Sequence, residues 1–179
     1  MREADMDILH YPDPRLRAKN TAVTAFDEEL AQTAREMFEV MYRTGGVGLA
    51  APQVGINKKL LVYNPTGRAG ESDAEIVLCN PKLVSKSRDQ EPGEEGCLSF
   101  PDIRGQVTRP VRVKIEAQDL HGEPLELELE DWDARIFLHE FDHLEGILFI
   151  DRMSPVSKAQ AKGQLEDLVA VYREAQGTA

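Results

Sequence analysis

The chain has 179 residues, of which 41% are apolar and 30% charged; this suits one folded domain and is too apolar for disorder. Its 21 Lys+Arg against 32 Asp+Glu leave a formal net charge of −11, which excludes broad binding to nucleic acid or to an anionic membrane. There is no apolar run long enough to span a bilayer, no apolar secretory stretch between Met1 and Asp7, and only Cys79 and Cys97 as cysteines. A reducing compartment and a protein that is not secreted are therefore expected.

In chain order, residues 8–16 read as extended, because a proline pushes its predecessor out of the helical region. Leu30, Ala34, Met37, Phe38 and Met41 recur at helical spacing. They predict a helix over 27–43, capped by Thr24 or Asp27 and ended by Gly45-Gly46. Gly46-Val-Gly-Leu-Ala-Ala-Pro-Gln53 is expected to be a loop. Short strands are predicted over 59–63, 75–79 and 82–85, with an exposed loop over 66–73. Residues 111–117 and 125–130 alternate apolar with charged side chains around a glycine-bearing turn, and predict a hairpin with one acidic, solvated face. A helix over 132–145 carries Phe137, Phe141 and Leu144 on one stripe and is stopped by Gly146. A last amphipathic helix covers 155–174, with Ala161, Leu165, Leu168, Val169 and Tyr172 as its apolar positions. The order of elements suggests α+β, and the absence of repeats or linkers suggests one domain over 1–179.

The strongest chemical signal is His139-Glu140-Phe141-Asp142-His143. Residues four apart on a helix share a face, so both imidazoles can point at one metal ion. Glu140 is close enough to handle the proton of a water the metal polarises. Two histidines need a third ligand. Phe149 stands where one class of zinc peptidases has a further His. Glu166 has the spacing for a zinc endopeptidase, although a solvated role suits it better. Cys97, in Glu95-Gly-Cys-Leu-Ser99, offers a thiolate instead. Cys79 reads as a small buried hydrophobe, and His10 and His121 as surface residues. The loop 46–53 exposes backbone groups with which an extended peptide can pair, and the Gln53 amide can donate to a developing oxyanion.

Gly46-Val-Gly-Leu-Ala-Ala-Pro-Gln53, Glu95-Gly-Cys-Leu-Ser99 and His139-Glu-Phe-Asp-His143, in that order, resemble the three signature motifs of the peptide deformylases. The similarity extends from Tyr11 to Asp151 and is nearest the plastid and cyanobacterial branch. It implies an α+β fold: short, mostly antiparallel strands around a central His-Glu-x-x-His helix, plus N- and C-terminal helices. The implied activity removes formyl from the N-terminal formyl-methionine of nascent polypeptides, in a bacterial cytoplasm or a plastid stroma, with the ribosome nearby. The implied ligands are Cys97, His139 and His143, holding Fe²⁺, or Zn²⁺, Ni²⁺ or Co²⁺ in its place. By the same resemblance Glu140 is the acid/base, and Gln53 and the Leu98 N–H stabilise the oxyanion. Gly46, Val47, Gly48 and Gly96 line the groove; Arg104, Ile136 and His139 lie near the methionine pocket; Glu95 pairs with Arg109. Leu138 departs from the family, which usually has Gln there to make a hydrogen bond behind the metal site.

Overall fold

A computed structural model describes residues 6–177; the reading of Met1 to Asp5, and the two ends of the expected 1–179 domain, lie outside them. The N-terminal segment is extended only as far as His10, since Tyr11 and Pro12 form a turn in which the Asp13 N–H donates to His10 O at 3.0 Å. Pro14–Arg17 then form a 3-10 turn, with the Asp13 carboxylate accepting the Arg15 amide, because a proline sacrifices no bond at the first helical position. Helix α1 (Glu28–Arg43) starts where Asp27 accepts the Leu30 N–H, so Asp27 rather than Thr24 is its cap. It ends where Gly45 turns left-handed at φ 75°.

The expected loop 46–53 is instead β1 (Gly48–Ala50) followed by a 3-10 turn, Ala51–Val54. Three residues are too few to show a period, and β1 exists only through pairing with β2 (Leu60–Tyr63). β3 (Ile76–Lys86) is one strand where two were expected, because a bulge between Cys79 and Lys82, with Asn80 at φ 51°, absorbs the Asn-Pro interruption. β4 (Gln90–Cys97) and β5 (Phe100–Pro110) are a hairpin that the sequence reading missed. β6 (Arg112–Gln118) and β7 (Pro124–Glu130) form the expected one. Helix α2 (Asp131–Leu144), a single turn α3 (Phe149–Arg152) that was not expected, and α4 (Pro155–Ala175) complete the chain.

The strands make two antiparallel sheets, one in the order β1-β2-β3-β6-β7 and one of β4-β5 alone. Period-2 alternation gives the larger sheet two apolar faces. Leu61, Tyr63, Leu78 and Ile115 pack under α2 with Phe137 and Leu138, while Leu60, Val62 and Cys79 pack against Met37 and Met41 of α1. A third cluster joins Phe100, Ile103 and Val107 of β5 to Leu16, Phe149 and Ala161. Helix α2 is thus held between the large sheet and the β4-β5 ribbon. α4 packs mainly through its first half, where Ser157 and Ala161 are buried; Leu165, Leu168, Val169 and Tyr172 are only half-buried.

Candidate metal centre

The geometry follows from α2. Its two histidines stand one turn apart, edge to face, with ring centroids 5.2 Å apart. His139 donates Nδ1–H to Glu95 Oε1 at 2.9 Å, which turns its Nε2 away from Glu95. His143 Nε2 lies 3.3 Å from Cys97 Sγ. The donor atoms of Cys97, His139 and His143 all lie within 4.8 Å of one another. Ligands sharing one tetrahedral ion stand about 3.5 Å apart, given metal–ligand bonds of about 2.0–2.3 Å, so the cluster is of the right size. Glu166 is outside it, on the exposed side of α4 in an ion pair with Lys162.

Cys97 ends β4, and Leu98 and Ser99 form the two-residue turn into β5. Gln53 reaches this turn from the 3-10 turn after β1. Its Nε2 donates to Cys97 Sγ at 3.4 Å and to Ser99 Oγ at 3.2 Å, and its Oε1 accepts the Ala50 N–H at 3.0 Å. The amide is buried and fixed in orientation. The N-terminal segment ties the two turns together, with Leu9 N–H donating to Gln53 O and Tyr11 N–H to Ser99 O.

Glu140 is 5% exposed, and its Oε2 has no hydrogen-bond partner among the described residues. Burial pushes its carboxyl up to about 7. Gly48 faces it: a Cβ there would lie 2.8 Å from Glu140 Oε1 and 2.9 Å from Cγ, so only glycine leaves the carboxylate room. Glu95 behaves oppositely. Burial opposes its charge, but the hydrogen bonds and charge of Arg109, with the His139 bond, hold it well below the usual carboxylate range.

The expected Glu95–Arg109 pair is present as a two-point fork, and Arg109 also donates to Asp142 at 2.6 Å. Asp142 in turn accepts from Arg152 of α3. These groups hold α2 by the residue beside each site element: Glu95 in β4 and Asp142 next to His143. Leu138 sits in the apolar core beneath the large sheet and has no polar role. The Nδ1 of His143 has no partner among the described residues.

A cleft of about 720 Å³ opens above these groups. Gln53, Cys97, Leu98, His139 and Glu140 line it, as do Gly46, Val47, Gly48, Gly96, Arg104 and Ile136; His143 lies beneath, 1% exposed. Every site residue picked from the sequence is therefore gathered here. The sequence reading missed His10, Trp132 and Arg135, which also line the cleft. His10 is exposed, as expected, but on the rim of the site rather than on ordinary surface. Cys79 is fully buried, its thiol pushed up to about 11 by burial, and stays a core residue.

The family model for polypeptide deformylases matches residues 5–159. A protein of Arabidopsis thaliana, peptide deformylase 1B, chloroplastic/mitochondrial, is 50% identical over 175 residues, 98% of this chain and 64% of that protein. The chain thus spans just under two thirds of the length of that plant relative. A Thermotoga neapolitana peptide deformylase is 43% identical over 163 residues, 91% of this chain and 96% of its own. The crystal structure of a mutant of the Arabidopsis thaliana enzyme matches with a TM-score of 0.94 at 50% identity, covering 96% of this chain and 93% of that one.

Proposed function

Because the chain belongs to the polypeptide deformylase family, we propose that it is a metal-dependent amide hydrolase acting on the N-terminal formyl-methionine of newly made polypeptides and releasing formate. The observation that carries this reading is the convergence of one thiol and two imidazoles beside a buried carboxylate poised near neutrality. That donor set fits a divalent transition metal. Cys97, His139 and His143 would hold it, with Fe²⁺ as the resident ion and Zn²⁺, Ni²⁺ or Co²⁺ as substitutes. When bound, the metal supplies Lewis acidity, which polarises a carbonyl and acidifies a neighbouring water.

The rest is the work of the chain's own side chains. With a carboxyl near 7, Glu140 is matched to take a proton from water at neutral pH and return it to the departing amine. The Gln53 amide, released from its longer bond to Cys97 Sγ, and the Leu98 backbone N–H donate to the formyl oxygen as it gains charge, an interaction whose loss typically costs about 10²–10³ in rate. Gly46, Val47, Gly48 and Gly96 offer main-chain groups to an extended peptide, and Arg104 and Ile136 border the methionine side chain with His139. The substrate assigns the protein to a bacterial cytoplasm or a plastid stroma, where chains emerge from ribosomes. No helix among the described residues is long and apolar enough to cross a membrane.

The test is formate release from a formyl-Met peptide. It is expected to disappear on chelation and to return when Fe²⁺ is added without air. Cleavage of internal peptide bonds with no formate would replace this reading with an endopeptidase.

A further inference from the structure

The β4-β5 ribbon carries Cys97, yet neither of its strands joins the larger sheet; outside the hairpin, Val107 bridges Met153 at the end of α3. Its hydrogen bonds to α2, which carries both histidines, run through side chains. Arg135 makes the most extensive of these connections outside the Glu95–Arg109 fork. One helical turn before His139, it donates Nη1–H to Glu95 Oε2 at 2.7 Å and to Val107 O at 2.9 Å, and Nη2–H to Glu91 O at 2.8 Å. It thus grips both strands of the ribbon and the carboxylate that orients His139. Its side chain is only 13% exposed. The guanidinium crosses the ribbon at Gly93, the register partner of Val107. A Cβ at 93 would lie 2.7 Å from Arg135 Cζ and 2.8 Å from Nη2, so any side chain there claims the guanidinium's place.

We propose that Arg135 is a positioning residue: seated over Gly93 and acting through Glu95, it sets where the Cys97 thiol stands relative to the imidazoles of His139 and His143. The proposal rests on the metal-site reading above. A five-donor planar fork can bridge a carboxylate and two carbonyls at once; a lysine ammonium lacks that fixed geometry. Arg135 borders the cleft, but this role acts on the ligands rather than on substrate, so it predicts an effect on the metal-free protein's capacity to bind a metal.

The experiment titrates metal-free protein with Co²⁺ and reads the thiolate-to-cobalt absorption band, alongside kcat and KM at saturating metal. Arg135→Met and Gly93→Ala are each expected to weaken Co²⁺ binding about 10–100-fold, the usual effect of losing a partner behind a ligand. The double variant should be no worse than either alone, because both remove one contact. Arg135→Lys should fall between, and KM should stay near the wild-type value in Gly93→Ala, whose site of change lies outside the cleft lining. Wild-type Co²⁺ affinity in Gly93→Ala, additive losses in the double variant, or a raised KM with unchanged metal binding would each overturn the proposal. Should Arg135→Met fail to fold, Gly93→Ala decides, since it keeps every charge. Absence of the band in wild-type protein would instead overturn the metal site itself, and this proposal with it.

Discussion

Adding one methyl group at Gly48 tests how tightly the site holds Glu140, its proposed acid/base. A Cβ at this position would stand 2.9 Å from Glu140 Cγ and 2.8 Å from Oε1. Carbon atoms settle about 3.5–4.0 Å apart, so the Glu140 side chain must retreat by about 0.6 Å or more. It has little freedom to do so, because Glu140 is 5% exposed on a helix clamped between two sheets. A misplacement approaching 1 Å costs on the order of 10²-fold in rate. Gly48→Ala is therefore expected to lower kcat for formate release about 10–100-fold with metal content unchanged, and to cost about 1–3 kcal/mol of stability from overpacking. Steady-state kinetics on a formyl-Met peptide, metal analysis and a urea melt read the three quantities. A variant with wild-type kcat would refute the reasoning: either β1 yields instead of the carboxylate, or the position of Glu140 does not limit turnover.

Three other outcomes follow from the same structure. Glu140→Ala should bind metal as well as the wild type but lose about 10²–10⁴ in kcat, the usual contribution of a positioned acid/base; a fully active variant would reassign the proton. Cys97→Ala should lose bound metal, whereas Glu166→Ala, altering an exposed ion pair on α4, should keep it; metal analysis giving the reverse would favour the endopeptidase ligand set. Tyr63→Phe should gain about 1 kcal/mol of stability, read as a higher urea midpoint at unchanged slope, because leaving a buried hydroxyl unsatisfied costs about 1–3 kcal/mol. Tyr63 is fully buried and its hydroxyl has no hydrogen-bond partner among the described residues. A loss of stability in that variant would mean the hydroxyl is serving a partner.

What was legible in the sequence divides along physical lines. α1 and α2 repeat an apolar stripe over several turns, and β6 and β7 alternate cleanly, so their periods identify them. β4 and β5 do not announce themselves, because Gln-Glu-Pro-Gly-Glu-Glu-Gly-Cys spends its inward positions on charge pairing and close approach rather than on packing. Glu95 is buried with Arg109 and Arg135, and Gly93 yields its space to a guanidinium. The three motif segments, with Arg104 and Ile136 given by the resemblance, point to the groups that gather at the cleft. The sequence did not reveal that Gly48 makes room for Glu140, since that constraint is a distance between residues far apart in the chain. Arg135 was hidden similarly: its partners at 91, 95 and 107 are strung along a hairpin that local patterning did not detect. His10 looked isolated because only the fold of the N-terminal segment carries it to the rim.

β1 and β4 are the outermost strands of two separate sheets, and residues from both line one cleft. A border of this kind bonds to what every polypeptide has in common, its amide repeat, and ignores what distinguishes one from another. Under the proposed function, a visiting chain would be gripped by its spine and judged by its first residue. If the proposed function holds, one small catalyst with this layout can serve an entire proteome, and a change that sharpened its taste for any downstream sequence would cost it that breadth.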